Sequence, residues 1–174
     1  MNYIFLDIDG VLNNQEHYSK QHKKYNARYF CEDMPFNPRS LKNLYKIVKK
    51  THAKIILTSS WRHSEKALTV LKSRLAEYGL KIDGMTEDSE SHSRGQEIAK
   101  YLMDNCFTET MYFDDKEYIY PIECSYVIID DEIYDILDHF FDDRVVRINQ
   151  KKGLTWFKMR ETISKINREW ETYV

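Results

Sequence analysis

The segment Tyr3-Ile4-Phe5-Leu6-Asp7-Ile8-Asp9-Gly10-Val11-Leu12 constrains this chain more than any other stretch, because an apolar run ends by delivering two acids and a glycine. Buried strands rarely carry carboxylates. Two acids spaced two apart on a strand aim their side chains to the same side. That placement costs electrostatic repulsion unless a cation or a proton shares the site. A metal-assisted acid pair at the end of a buried strand is the expectation.

The chain has 174 residues, enough to bury a full core without disulfide or metal staples, and we read 1–174 as one domain. Cys31, Cys106 and Cys124 are odd in number, widely separated and outside any CxxC pair. Neither a disulfide framework nor a zinc ribbon is indicated, and a reducing cytoplasm fits best. The formal charge of -2 argues against attachment to nucleic acid or anionic membrane through net charge alone, and leaves local basic patches open. No run approaches bilayer-spanning length, so a soluble chain with no membrane partner and no obligate protein partner is expected.

Short apolar runs alternate with longer segments of helical period, the mark of βαβ units and a mainly parallel sheet. The first strand spans roughly Tyr3 to Ile8. The polar, aromatic-rich stretch that follows, about 14–36, has no convincing period and reads as a loop or flap. Asn37 caps a helix with Pro38 at its first position and Leu41, Leu44, Ile47 and Val48 on one stripe. A strand Ala53 to Leu57 follows, then a helix over 64–78 stopped by Gly79, and a short strand at Leu80 to Ile82. A third helix starts after Ser93, before an irregular insertion at about 105–125 that has room for a hairpin, with Asp114 and Asp115 exposed. Strand Tyr126 to Ile129 ends in Asp130-Asp131, and Ile133, Ile136, Leu137 and Phe140 mark another helix. Val145 to Ile148 is the last strand. Thr155 caps a final helix whose Trp156, Met159, Ile163, Ile166 and Trp170 should pack on the sheet.

Three strands thus end in polar residues: Asp7 and Asp9, then Thr58-Ser59-Ser60, then Asp130-Asp131. In an open parallel sheet these tips share one edge, the crevice where ligands bind. Four carboxylates meeting there would be destabilising without a counter-ion, and carboxylate oxygens are what Mg²⁺ uses, with water and substrate phosphate completing its shell. Taken singly, each motif has a plainer reading. Asp-Gly makes ordinary turns, Ser59 or Ser60 suits a helix cap, and Arg94 suits a solvated surface.

In combination the chain resembles the haloacid dehalogenase (HAD) superfamily of phosphotransferases. Closer still, it is similar to the small HAD-type domain associated with RNA-repair proteins, through Phe5 to Asn13, Ile56 to Arg62, Arg94 to Leu102, Ile128 to Asp131 and Gly153 to Thr155. The resemblance implies a Rossmann-like α/β sheet flanked by helices, with no large cap domain. It implies Asp7 as nucleophile forming an aspartyl phosphate. Asp9 becomes the acid and base, its pKa raised by its acidic neighbour and its backbone carbonyl reaching the metal. Ser59 orients phosphoryl oxygens, with Thr58 competing for that role. Asp131, supported by Asp130, holds Mg²⁺ together with Asp7 and Asp9. Arg94 takes the basic position, where most members have lysine; Lys81 and Lys100 are the alternatives. Gly10, Ser60 and Arg62 line the substrate, Arg62 as a phosphate ligand.

No segment between motifs is long enough for a large cap, so the resemblance implies an open cleft and a bulky phosphorylated substrate. Lys20, Lys23, Lys24 and Arg28 with Tyr18, Tyr25 and Tyr29 suit a nucleic-acid end. A phosphoserine or phosphotyrosine protein phosphatase and a small-nucleotide phosphatase use the same core. A non-catalytic receiver-like module is the alternative from another class, and Asp9 speaks against it, because a phosphate acceptor has no use for an acid at that spacing.

Overall fold

In the computed structural model, which describes residues 1–25, 36–90, 93–113 and 116–168, the first apolar run becomes the central strand. Strand β1 (Asn2–Leu6) pairs in parallel with β2 (Lys54–Leu57) on one side and β6 (Ser125–Asp130) on the other. Strands β3 (Gly84–Met85) and β7 (Val145–Arg147) complete a parallel sheet of order β3-β2-β1-β6-β7. Strands buried on both faces read as unbroken apolar runs rather than alternating ones. Side chains nevertheless alternate between two cores. Ile4, Leu6, Ile55, Leu57, Val127 and Ile129 face one, and Tyr3, Phe5, Ile56, Tyr126 and Ile128 the other.

Helices α2 (Pro38–Thr51), α3 (Glu65–Ala76) and α5 (Trp156–Ile166) supply the first core with Leu44, Leu71 and Met159. Helix α4 (Arg94–Asn105) covers the second with Ile98, Ala99 and Leu102. Asn37, Ser64, Ser93 and Thr155 cap these four helices through their side chains, satisfying first-turn amides left over by helix geometry. Both α2 and α5 run back across the sheet. The Asn2 amide, at the start of β1, donates to the carbonyl of Thr51, and the Ser125 hydroxyl, at the start of β6, donates to that of Ile166. Their first turns therefore stand at the edge where the strands end. The expected insertion hairpin forms from β4 (Thr108–Phe113) and β5 (Lys116–Pro121).

Several expectations are corrected. The start of the flap is a helix, α1 (Gln15–Tyr25), with the Asn14 side chain accepting from the amide of His17. It escapes a periodicity reading because Gln15, Glu16, Ser19 and Lys20 are all exposed, leaving little apolar stripe to read. Arg28, Tyr29 and Cys31 lie outside the described residues, as do Asp114, Asp115 and Trp170 and the side chains of Lys23, Lys24 and Tyr25. The short strand sits at Gly84–Met85 rather than 80–82. Before it, the Asp83 carboxylate occupies the Ile55 amide, and only a residue without a Cβ fits under the Tyr101 hydroxyl at Gly84. The segment carrying Ile133, Ile136 and Phe140 buries those side chains, yet folds as turns with one 3₁₀ turn at Ile136–Asp138. Asp135 is drawn out to the start of α4, and the His139 carbonyl accepts from Ile119 of β5. Trp156 is 50% exposed rather than packed on the sheet, because it opens α5 beyond the strand tips.

Candidate active site at the strand tips

Register brings the site together. Leu6 lies opposite Leu57 on one side and Ile129 on the other, and the ladder runs one residue further, with Asp7 N–H on the Ile129 carbonyl and Thr58 N–H on that of Leu6. Asp7, Thr58 and Asp130 are therefore level. Continuing the two-residue alternation, Asp7 follows Tyr3 and Phe5, and Asp130 follows Tyr126 and Ile128, onto the face covered by α4. Arg94 is the first residue of α4 and meets both acids, its Nη1 lying 2.5 Å from Asp130 Oδ2 and 3.3 Å from Asp7 Oδ1. Asp135 fixes the start of that helix by accepting from the Ser93 hydroxyl and the Gly95 amide. Sequence reading missed Asp135, whose only signal is an acid in a segment rich in them.

Asp7, Asp130 and Asp131 each offer a carboxylate oxygen within 4.8 Å of the others. Asp7 and Asp130 are buried. Burial pushes the Asp7 carboxyl up to about 7, and the Asp130 charge adds to the rise against the opposing pull of Arg94 and of a hydrogen bond from Ser59. Asp130 is raised by burial too, opposed by Arg94 and by the Glu132 amide. Asp131 rises to about 6, through burial and the charge of Asp130. Burial disfavours the Arg94 cation, but Asp130 and Asp7 outweigh it and its pKa is pushed up. When all three are ionised, three carboxylates against one guanidinium leave two negative charges in excess. This hard-oxygen donor set and its charge match a divalent cation such as Mg²⁺, and Asp7, Asp130 and Asp131 are the residues that can hold it.

Gly10 is needed here by geometry. Its φ is +75°, and a Cβ at this position would overlap the Asp131 carboxyl. Ser59 is buried and bonded to Asp7, whereas Thr58, also buried, leaves its hydroxyl without a partner among the described residues. Ser60 is exposed just beyond. Of the three basic candidates, Arg94 is the one joined to the acids; Lys81 pairs with Asp83, and Lys100 with Glu87 and Asp104.

Two expectations change. Strand β1 stops at Leu6, the chain turns, and Asp9 is exposed with its carboxylate outside the acid cluster. The residue sharing the site with Asp7 is Asp130. Asp9 Oδ2 instead accepts from Trp61 Nε1 at 2.8 Å and Oδ1 from Asn13 at 3.4 Å. Trp61, itself buried and ring-packed on Phe36, is a second residue that sequence reading passed over. Arg62 does not reach for a ligand: its guanidinium donates to the Thr58 carbonyl, Asp88 and the buried Glu97, tying the second motif to α4.

A five-stranded parallel sheet with a buried aspartate on its central strand, a hydroxyl on one neighbour and two acids on the other defines a protein of the HAD superfamily. The sequence pattern of the HAD domain in Swiss Army Knife RNA repair proteins matches residues 3–158, and the chain belongs to that family. The match supports a HAD-type phosphatase or hydrolase. Comparison with curated proteins and with solved structures gave no match. Among the described residues, no helix is long and apolar enough to cross a membrane.

Proposed function

We propose that the chain is a Mg²⁺-dependent phosphomonoesterase working through an aspartyl phosphate, with a phosphorylated nucleic-acid end as substrate. The observation that carries this reading is the buried Asp7 carboxylate, held by Ser59 and Arg94 within ligand reach of Asp130 and Asp131. An Asp7 oxygen attacks phosphorus as the bond to the leaving oxygen breaks, and Asp9 gives that oxygen its proton. Asp9 then takes a proton from water, the water oxygen attacks phosphorus, and the bond to Asp7 breaks to release phosphate. Exposure suits Asp9 to this double duty, because both the leaving group and the water arrive from solvent.

A divalent cation held by Asp7, Asp130 and Asp131 supplies charge screening between carboxylate and phosphate. Arg94 complements it from α4, holding Asp7 in place by its guanidinium. Ser59 and Thr58 present hydroxyls to the phosphoryl oxygens. The nucleic-acid end is supported by the family's link to RNA repair proteins.

The test is hydrolysis with and without Mg²⁺ of p-nitrophenyl phosphate, nucleotides, phosphopeptides and oligonucleotides bearing 3′ or 5′ phosphate. Acid-stable phosphate should be trapped on wild type and not on Asp7→Asn. Preference for phosphopeptides would remove the nucleic-acid assignment, and turnover by Asp7→Asn at the wild-type rate would remove the mechanism.

A further inference from the structure

Helix α2 has two faces. Leu41, Leu44 and Ile47 are buried against the sheet, while Arg39, Lys42, Lys46 and Lys50 recur at three- and four-residue intervals and are exposed. At the rise of an α-helix this basic stripe is about 16 Å long. It forms one wall of a groove of about 730 Å³, with α1, the turn before α5 and Trp156 as the others. Lys20 and Lys152 add to the stripe, and Glu16 is the one acid lining the groove among the described residues. The groove extends past Lys46 and Trp156 to Lys50 and Arg160 at one end, and past Lys20 to Lys151 at the other.

Several cations elsewhere are neutralised, as Lys100, Lys116 and Lys158 are. Lys20, Arg39, Lys42, Lys46, Lys50 and Lys152 have no ion-pair partner among the described residues. A chain of net charge -2 thus gathers six cations without ion-pair partners among the described residues along one channel. Asn14 and Ser40, 2% and 1% exposed, lie in its floor with Asn14 Nδ2 and Ser40 Oγ unpartnered among the described residues. Trp156 is half exposed, with the Arg160 guanidinium 5.2 Å from its ring centre. The groove also has a direction. Asn14 follows directly on the bridge between Asp9 and Asn13, and the first turns of α2 and α5 stand at the catalytic edge.

We propose that this groove binds a single strand of nucleic acid, with phosphates along the α2 stripe and a base stacked on Trp156, and leads its end toward Asp7. Evenly spaced cations with an aromatic platform are the usual means of holding a single strand. An interfacial membrane helix needs a broad apolar face instead, and this channel is concave with a polar floor. The delivery of the end to Asp7 rests on the phosphatase reading; the binding itself does not.

The experiment measures fluorescence anisotropy of a labelled single-stranded RNA with hydroxyl at both ends, a non-substrate, against increasing salt. Lys42→Glu with Lys46→Glu should weaken binding at least about tenfold and flatten the salt dependence, with thermal unfolding run alongside to confirm folding. Trp156→Ala should weaken the RNA several-fold and leave inorganic polyphosphate unaffected. Asp7→Asn should bind as wild type does, so a failure of the catalytic reading leaves this result intact. Equal RNA affinity of wild type and the double variant would overturn the proposal. So would charge-dependent binding of phosphatidylserine vesicles without binding of RNA, or an equal loss of polyphosphate binding in Trp156→Ala.

Discussion

The strand tips and the α2 groove hold charge of opposite sign by opposite means. At the tips, Asp7 and Asp130 are buried, level with one another, and each is hydrogen-bonded to a named donor. Along the groove, Arg39, Lys42, Lys46 and Lys50 are exposed and without ion-pair partners among the described residues. Register brings the acids together out of water, and burial first, with the charge of Asp130 adding at Asp7 and Asp131, raises their pKa values. The lysines stand in water, where repulsion is weak and screened by salt. Buried charge of this kind calls for one tightly held counter-ion, whereas exposed charge suits a long, replaceable polyanion.

Replacing Asp7 has the largest expected effect, because it removes both the proposed nucleophile and a buried charge held beside Asp130. Asp7→Asn should lower turnover at least about 10³-fold, while the metal-free protein unfolds at a higher temperature than wild type. A lower unfolding temperature would show that Asp7 is a net structural support. Arg94→Ala is next. It leaves Asp130 and Asp7 facing one another without their cation, at a cost of about 3 kcal/mol in the absence of metal, part of which Mg²⁺ should restore. Urea unfolding with and without Mg²⁺ decides this, and an unchanged midpoint would mean that the guanidinium is dispensable.

How much of this was visible in the residues follows from the same contrast. The acids at Asp7 and Asp130-Asp131 could be read because strand alternation and parallel pairing carry a residue number directly to a position in space. Asp9 could not, because where β1 ends is decided by the turn at Gly10, and the partner that holds Asp9, Trp61, lies 52 positions away. Helix α1 was hidden by the lack of an apolar stripe. The turns after Asp131 imitate a helix in sequence, because Ile133, Ile136 and Phe140 keep helical spacing while Asp135 and the His139 carbonyl serve other elements. The basic stripe of α2 lay in plain view as the polar side of an amphipathic helix. What the sequence lacked was the opposite wall.

Protons and Mg²⁺ compete for the acidic edge. The folded-state carboxyls of Asp7, at about 7, and Asp131, at about 6, lie above their ordinary value of 3.8. The metal-free fold therefore binds more protons than the unfolded chain. The stability this contributes is fully present below about pH 4 and is lost as pH rises through about 7. Since Mg²⁺ needs the ionised acids, its stabilisation of the protein should be larger at about pH 8 than at about pH 5. Calorimetry at both values checks this, and a Mg²⁺ shift independent of pH would exclude these carboxylates as its ligands. Trp61→Phe acts at the rim of the same edge. It keeps a ring against Phe36 and loses the donor to Asp9, so kcat should fall about tenfold with the Mg²⁺ shift unaltered.

The smallest effect expected is the one that separates the two regions most cleanly. Lys46 has Lys42 and Lys50 one helical turn away on either side, and like charges at that spacing destabilise a helix by about 0.2–0.5 kcal/mol per pair. Lys46→Gln relieves both pairs and removes no ion pair seen among the described residues. Its unfolding temperature should therefore rise by roughly 1–2 °C at low salt, and the gain should fade as salt screens the repulsion. Neutralising Asp130 instead strips Arg94 of its buried partner, and added salt should not offset that loss. If Lys46→Gln proved destabilising by more than about 1 kcal/mol, the lysine would be a structural element of α2, and the groove's charge would have to be explained by the fold rather than by what the groove binds.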